Sequence, residues 1–328
     1  MKTLAWKLIA AIAVCLGVLL AFNLVLLWRL DSVPRLMIRE LRNQPRVDVL
    51  FLGNSLMAGG LNLDTFRSNW PVRTKADNLY NAALSASTTV EQDLLARESF
   101  RRHGEIKYVV YGFFDDQLTY LPRARWTDLE GNMSMAYYVE PEIGASYYFP
   151  PEALLNRACF RAVGWIPMLR EHSQLWKYVE RWRRTCSELG MPAVKTNRFG
   201  RANDFQKLLV QNPAIFSNIC DEVVAHATPF APPVEEIFDL ATKHGAKIYM
   251  VEMPVPSKHR RDYYETSGWR KYQNYLHEKF KARGIEYIEA SDWVKDDQKF
   301  LDHLHLNEDG AKRFSQRLAA ELAGQIKP

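Results

Sequence analysis

From Leu8 to Trp28 the chain runs for 21 residues without a charge, against the roughly 20 apolar residues that cross a bilayer core. Lys2 and Lys7 precede this run, Arg29 and Asp31 close it, and Trp6 and Trp28 sit where interfacial aromatics are favoured. The end of the run, Leu20 to Trp28, contains no small-x-small cleavage site, and Cys15 lies mid-segment behind Val14 rather than behind a small residue. The pattern therefore predicts an uncleaved transmembrane anchor over residues 1–30, rather than a secretory or lipoprotein signal. Residues 31–46 read as a polar, partly helical connector.

Beyond residue 46 the pattern alternates. Val47 to Leu52 is a short apolar run rich in β-branched residues, the mark of a buried strand, and Gly53-Asn54-Ser55 breaks it before a helical stretch. Asn78 to Ala83 is a second, weaker strand. Thr88 to His103 has helical spacing, with Val90, Leu94, Leu95 and Phe100 on one face and Thr88 or Thr89 as cap. Ile106 to Tyr111 is a third strand. The alternation resumes with a helix over Pro233–His244, a strand over Lys247–Val251, a helix over Arg261–Arg283, a strand over Ile285–Ile288 and a final amphipathic helix over Glu308–Ala323. Strands alternating with helices of this length predict an α/β fold, a parallel central sheet flanked by helices in three layers. Such sheets carry functional residues in loops at the carboxyl ends of their strands. Residues from about 118 to 232 do not fit the alternation. They carry Tyr137-Tyr138, Tyr147 to Pro151 and a basic stretch from Arg157 to Arg184, and read as a helical insertion: a cap over the site, or a peripheral lobe. The sheet domain with this insertion spans residues 47–328.

Composition narrows the field. With 328 residues and 47% hydrophobic content the chain can bury a substantial core, which argues against disorder. The formal net charge of +5 is mild, compatible with an anionic membrane surface or polymer. No P-loop, zinc-finger spacing or RNA-recognition signature occurs, so nucleic acid is not an expected partner. Cys15, Cys159, Cys186 and Cys220 show no CxxC pairing, which argues against a structural metal and leaves open one disulfide among the last three.

Ser55 follows a buried strand at a glycine-permitted turn, where its own N–H would open a helix. A serine hydroxyl needs a base beside it, and the base needs a third group to fix its tautomer. Asp302 and His305, in Asp302-His303-Leu304-His305-Leu306-Asn307 just before the last helix, have the i, i+3 spacing that lets a carboxylate reach Nδ1 while Nε2 faces outward. The His303-x-His305 pair could also suggest a metal, but no third ligand is evident nearby.

Phe51 to Leu56, Asn81 to Thr88 and Asp302 to Asn307 together resemble three blocks of the SGNH (GDSL-type) hydrolase family. Asn54 replaces the aspartate of its Gly-Asp-Ser-Leu block, and Ala86 stands where the family has an oxyanion glycine. The resemblance implies an SGNH-like fold with Ser55 as nucleophile, His305 as base and Asp302 as its orienting acid. It implies an oxyanion hole built on the N–H groups of Ser55 and Ala86, with Asn54, Ser85, Phe114 and Asp115 beside the substrate, and no cofactor. One block departs: the family's Gly-x-Asn-Asp reads Gly112-Phe113-Phe114-Asp115 here, followed by Asp116-Gln117, and no asparagine aligns. Gln117, a residue of the insertion or a partner would have to supply the third donor.

A triad of this kind forms an acyl-enzyme, which water or another hydroxyl then resolves. The layout of anchor, domain and insertion resembles the membrane-anchored branch of the family that O-acylates cell-surface polymers beside a multi-pass membrane O-acyltransferase. This implies an extracytoplasmic domain acting on a surface glycan or another acyl ester. The arginines after the span (Arg35, Arg39, Arg42, Arg46) do not themselves favour a cytoplasmic N-terminus. The alternatives are a membrane-bound lipid or small-ester esterase, and a non-catalytic scaffold, which only the altered oxyanion block favours.

Overall fold

The run that begins at Val47 forms the inner strand β1 (Val49–Gly53), buried at every position. In the computed structural model, which describes residues 2–29, 33–70, 78–85, 87–119, 134–170 and 212–325, β1 lies between β2 (Leu79–Asn81) and β3 (Tyr108–Phe113). β4 (Lys247–Glu252) and β5 (Glu286–Glu289) extend the sheet beyond β3. The order is β2-β1-β3-β4-β5 and every pairing is parallel. The chain leaves β1 toward one edge and returns past it to β3, so a crevice opens at the carboxyl ends of these two strands.

Side chains show which helices cover which face. Phe51 meets the ring of Phe66, on the helix Leu63–Asn69, at 5.1 Å. Leu52, the next residue, points to the other face and is in register with Tyr111, whose hydroxyl reaches Gln92 on the helix Thr89–Arg102. The final helix, Glu308–Gln325, packs with Leu63–Asn69, and Pro232–Lys243 packs with Thr89–Arg102. Two helical layers thus enclose the sheet.

Thr88 caps its helix as its position suggests. Its N–H donates to Glu91 Oε2 at 2.7 Å, and its hydroxyl accepts from the Val90 N–H, closing a capping box. The helix expected over Arg261–Arg283 is instead broken. A short helical turn (Ser257–His259) continues into a π turn, Arg260–Tyr264, and a new helix begins at Ser267 and runs to Ala282. Thr266 caps the new helix, accepting from the Trp269 N–H. Gly268 sits where a Cβ would lie 2.1 Å from the Ser217 carbonyl oxygen, so the helix Pro213–Ala225 can press directly on the new one. Thr266-Ser267-Gly268 is the local cause of both the break and the contact.

The chain divides into two compact units, Met1–Glu40 with Arg123–Met191 and Leu41–Pro122 with Pro192–Pro328. This differs from the expected connector and single insertion over 118–232. Its helix Pro213–Ala225 packs in the sheet unit, whereas residues 134–170 group with the N-terminal helix. In that first unit Lys2–Arg29 is one helix, and its stretch Trp6–Leu26 has a mean hydropathy of 2.7, long and apolar enough to cross a membrane. Val33–Asn43 is helical. Cys15, Cys159 and Cys220 are free thiols, and Cys186 lies outside the described residues.

Glu252 ends β4 fully buried. Burial pushes its carboxyl above the usual range, against hydrogen bonds from Tyr287, Ser291 and Gln273. A folded-state pKa above the unfolded one means stability that is complete below about 4.5, the unfolded value, and is lost as pH rises through the folded one. Glu252→Gln removes this titration. The melting temperature of the variant should change less with pH than that of the parent, and toward alkaline pH the variant should gain on the parent. Parallel melting curves from about pH 4 to about pH 9 would contradict the assignment.

Candidate active site

β1 ends on Gly53, whose φ of +142° is open to glycine alone. A Cβ there would stand 2.6 Å from the Gly112 carbonyl oxygen and 2.9 Å from Met57 Cβ. Gly112, its register partner on β3, is equally confined, with Met57 Cε 2.6 Å and Met253 Sδ 2.8 Å from the place of a Cβ. The two glycines let the short helix Ser55–Gly60 sit directly on the sheet edge. Gly53→Ala should therefore cost about 2–5 kcal/mol through backbone strain and overpacking, read as a lowered thermal transition of the sheet unit. An unchanged transition would refute this account of the turn.

Asn54 caps the helix, its Oδ1 accepting from the Leu56 N–H at 2.9 Å. Ser55 is the first residue of the helix, and among the described residues its N–H meets no acceptor. The partner groups arrive from the far end of the sequence. Phe300 and Leu306 form an antiparallel bridge, the Leu301 N–H donates to the His305 carbonyl, and the Asn307 N–H donates to the Lys299 carbonyl at 2.9 Å. Asn307 then accepts from the Gly310 N–H at 3.0 Å at the start of the last helix. A Cβ on Gly310 would lie 2.3 Å from the Lys299 oxygen, so only glycine allows this closure.

The turn so held presents Asp302 and His305, which are 5% and 6% exposed. Asp302 Oδ1 accepts from the backbone N–H groups of Leu304 at 3.0 Å and His305 at 2.8 Å, and both carboxylate oxygens lie 2.9 Å from His305 Nδ1. Burial works to raise the Asp302 pKa, but the hydrogen bonds from the His305 ring and the two backbone N–H groups outweigh it and hold the carboxyl far below the usual carboxylate range. An ionised carboxylate has no proton to give, so Nδ1 carries the hydrogen between them. In the neutral ring Nε2 is then an acceptor. It lies 2.8 Å from Ser55 Oγ, the geometry for receiving the hydroxyl proton.

The other expected site residues fall differently. Asn54 Nδ2 donates to Gln117 Oε1 at 2.9 Å, and Gln117 Nε2 donates to Gln92 Oε1 at 3.1 Å. Gln92 also accepts from the Tyr111 hydroxyl and donates to Ser87 Oγ at 3.2 Å, which donates to the Gly53 carbonyl at 3.3 Å. Because Asn54 Oδ1 is fixed as an acceptor by the Leu56 N–H, every amide in the chain has one orientation. Asn54 and Gln117 thus brace the turn before the serine, and one of the two Gln117 amide hydrogens goes to Gln92. Ser85 is exposed and Phe114 half-buried. Ala86 lies outside the described residues. Asp115 adopts a φ of +52°, its N–H donates to the Tyr264 hydroxyl at 3.1 Å, and its Oδ1 lies 2.8 Å from His259 Nε2.

Gln92, Ser87, Tyr111 and His259 are the residues sequence reasoning passed over. The available signal was Gln92, a fully buried glutamine on the same helix as Val90, Leu94 and Leu95. Among the described residues no cluster suits a metal ion.

No family model matches the sequence, and no curated protein matches it. Solved structures do. A GDSL-like lipase from Bacteroides thetaiotaomicron is 11% identical over 90% of this chain and 98% of its own, with a TM-score of 0.40. Est24, a carbohydrate acetylesterase from Sinorhizobium meliloti, is 12% identical over 86% of this chain and 100% of its own, with a TM-score of 0.36. A lipase/acylhydrolase from Enterococcus faecalis is 11% identical over 86% and 98%, with a TM-score of 0.35. Likenesses this distant leave the assignment of chemistry to the site itself.

Proposed function

We propose that this chain is a membrane-anchored serine hydrolase or acyltransferase that cleaves or transfers an O-acyl group, acetyl in the simplest case, on a cell-surface polysaccharide. The observation that carries the chemistry is the continuous chain from Ser55 Oγ to His305 Nε2 at 2.8 Å and from His305 Nδ1 to Asp302 at 2.9 Å. Ser55 Oγ attacks the ester carbonyl carbon while His305 takes its proton. The carbonyl oxygen becomes an oxyanion, for which the Ser55 N–H is the free donor and the Ala86 N–H the second. Collapse breaks the ester C–O bond, and the departing alcohol takes the proton from His305, leaving an acyl-Ser55. Water or a sugar hydroxyl, deprotonated by the same imidazole, then accepts the acyl group. Gln117 acts through Asn54 by holding the turn, and the half-buried Phe114 and the exposed Ser85 are the wall and rim against which the acyl donor lies.

The span Trp6–Leu26 is the anchor in this reading, with the sheet domain extracytoplasmic and a multi-pass membrane O-acyltransferase as the partner that would supply acyl groups. Treating the full-length protein with a fluorophosphonate tests the nucleophile. The expected result is one phosphonyl adduct, on the peptide bearing Ser55, with loss of turnover of a chromogenic acetate ester. A protein that stays unlabelled and hydrolyses nothing would favour the scaffold reading. Release of acetate from an O-acetylated glycan, set against release of fatty acid from a phospholipid, separates the polymer reading from a lipid esterase.

A further inference from the structure

Within the first unit, the helix Leu154–Trp165 is apolar on two faces. One is packed: Phe160 is fully buried, its ring 4.5 Å from Tyr137 and 5.8 Å from Phe149, and Gly164 is buried near Pro141. The other faces outward. Leu154, Leu155, Ala158, Ala162 and Trp165 are exposed, and Ile166 and Leu169 in the next turn continue the stripe at helical spacing. The large members are 73% (Leu154), 76% (Leu155) and 80% (Trp165) exposed. Soluble helices turn their polar side outward; here Arg157 and Arg161 lie half-buried at the margins while the outermost positions carry no charge.

The position of this stripe along the span is fixed. The short helix Pro167–Arg170 abuts the N-terminal helix, and the Met168 N–H donates to Asn23 Oδ1 at 2.7 Å. Asn23 Nδ2 donates to the Leu19 carbonyl, also at 2.7 Å, so both ends of this amide are satisfied inside an otherwise apolar stretch, as a hydrocarbon surrounding demands. Asn23 is three residues short of Leu26, where the span ends, which is about 4–5 Å of helix rise. Trp165 and Ile166, directly before Pro167, therefore stand at the depth where acyl chains give way to headgroups. Tryptophan at that depth with arginines at the margin is the composition of an in-plane interfacial helix.

The geometry points to a second membrane contact: the stripe Leu154–Leu169 lies in the interface of the same bilayer that Trp6–Leu26 crosses, on the side where Leu26 emerges, with Arg157 toward anionic headgroups and Arg161 paired with Glu142 at 2.6 Å. This rests on the anchor reading, and two native cysteines separate the two. Cys15 lies mid-span and Cys159 on the stripe, both exposed free thiols. Full-length proteins retaining one cysteine each, the others replaced by alanine or serine, are spin-labelled in nanodiscs containing phosphatidylglycerol. Nitroxide relaxation by oxygen is compared with relaxation by a water-soluble nickel chelate. The expected result is a strong oxygen preference at Cys15 and an intermediate one, several-fold above that of a nitroxide in water, at Cys159. Core values at Cys15 with aqueous values at Cys159 overturn the second contact alone and leave the stripe as a surface for a protein partner. Aqueous values at both sites overturn the anchor and the inference with it.

Discussion

Ser55→Ala is expected to lower kcat on a chromogenic acetate ester by about 10⁴- to 10⁶-fold, with the fold intact, because the chain of proton transfer starts at one oxygen. In the parent, Oγ lies 2.8 Å from His305 Nε2 and on the first residue of a helix whose cap is Asn54. Alanine keeps the helix, the cap and the unengaged N–H, so whatever the oxyanion donors contribute survives. The residue lost is the nucleophile alone. His305→Ala removes the base and should cost a similar factor. The double variant should be no slower than either single one, because each already abolishes the covalent route. Losses that multiply would mean that the two side chains act independently, and the triad would have to be abandoned. Unchanged turnover in Ser55→Ala would move the chemistry to another group.

Much of this was legible in the sequence because the signals are local. A run of 21 uncharged residues, a buried strand broken by Gly53-Asn54-Ser55, and a carboxylate three residues before a histidine each report on their own neighbourhood. The parallel sheet followed from alternation, and the structure brings together three side chains up to 250 positions apart in sequence. What escaped depends on pairings that no local pattern encodes. Asp115 and His259 meet across loops that follow different strands, β3 and β4. From sequence, Gln117 is a candidate oxyanion donor because no asparagine aligns there. Its actual partners, Asn54 and Gln92, come from two other elements, and only their hydrogen bonds show that it braces the turn. The stretch Arg261–Arg283 carries its break locally in Thr266-Ser267-Gly268, and only the close approach of Ser217 to Gly268 shows what the glycine is for. The association of residues 134–170 with the N-terminal helix hangs on Asn23 and a backbone N–H, a pairing hidden within an apolar stretch.

Asp302→Asn is the sharper test of how the base is prepared. In the parent, Oδ1 accepts two backbone N–H groups, from Leu304 and His305, and both Oδ1 and Oδ2 lie 2.9 Å from Nδ1. The backbone donors do not move when one atom changes. Asparagine must therefore keep its carbonyl oxygen on them and turn its NH₂ toward His305. An NH₂ group only donates, so Nδ1 becomes the acceptor and the ring hydrogen passes to Nε2. That nitrogen then offers a hydrogen to Ser55 Oγ where it should receive one. The side chains would remain superimposable and the rate should fall by about 10⁴-fold, the cost of the wrong tautomer. Asp302→Ala, which imposes neither tautomer, should fall no further than the asparagine variant despite losing more contacts. Nitrogen NMR of the imidazole reads the change directly, with the protonated position moving from Nδ1 to Nε2. An asparagine variant within about tenfold of the parent, with Nδ1 still protonated, would show that Asp302 does not set the tautomer of His305.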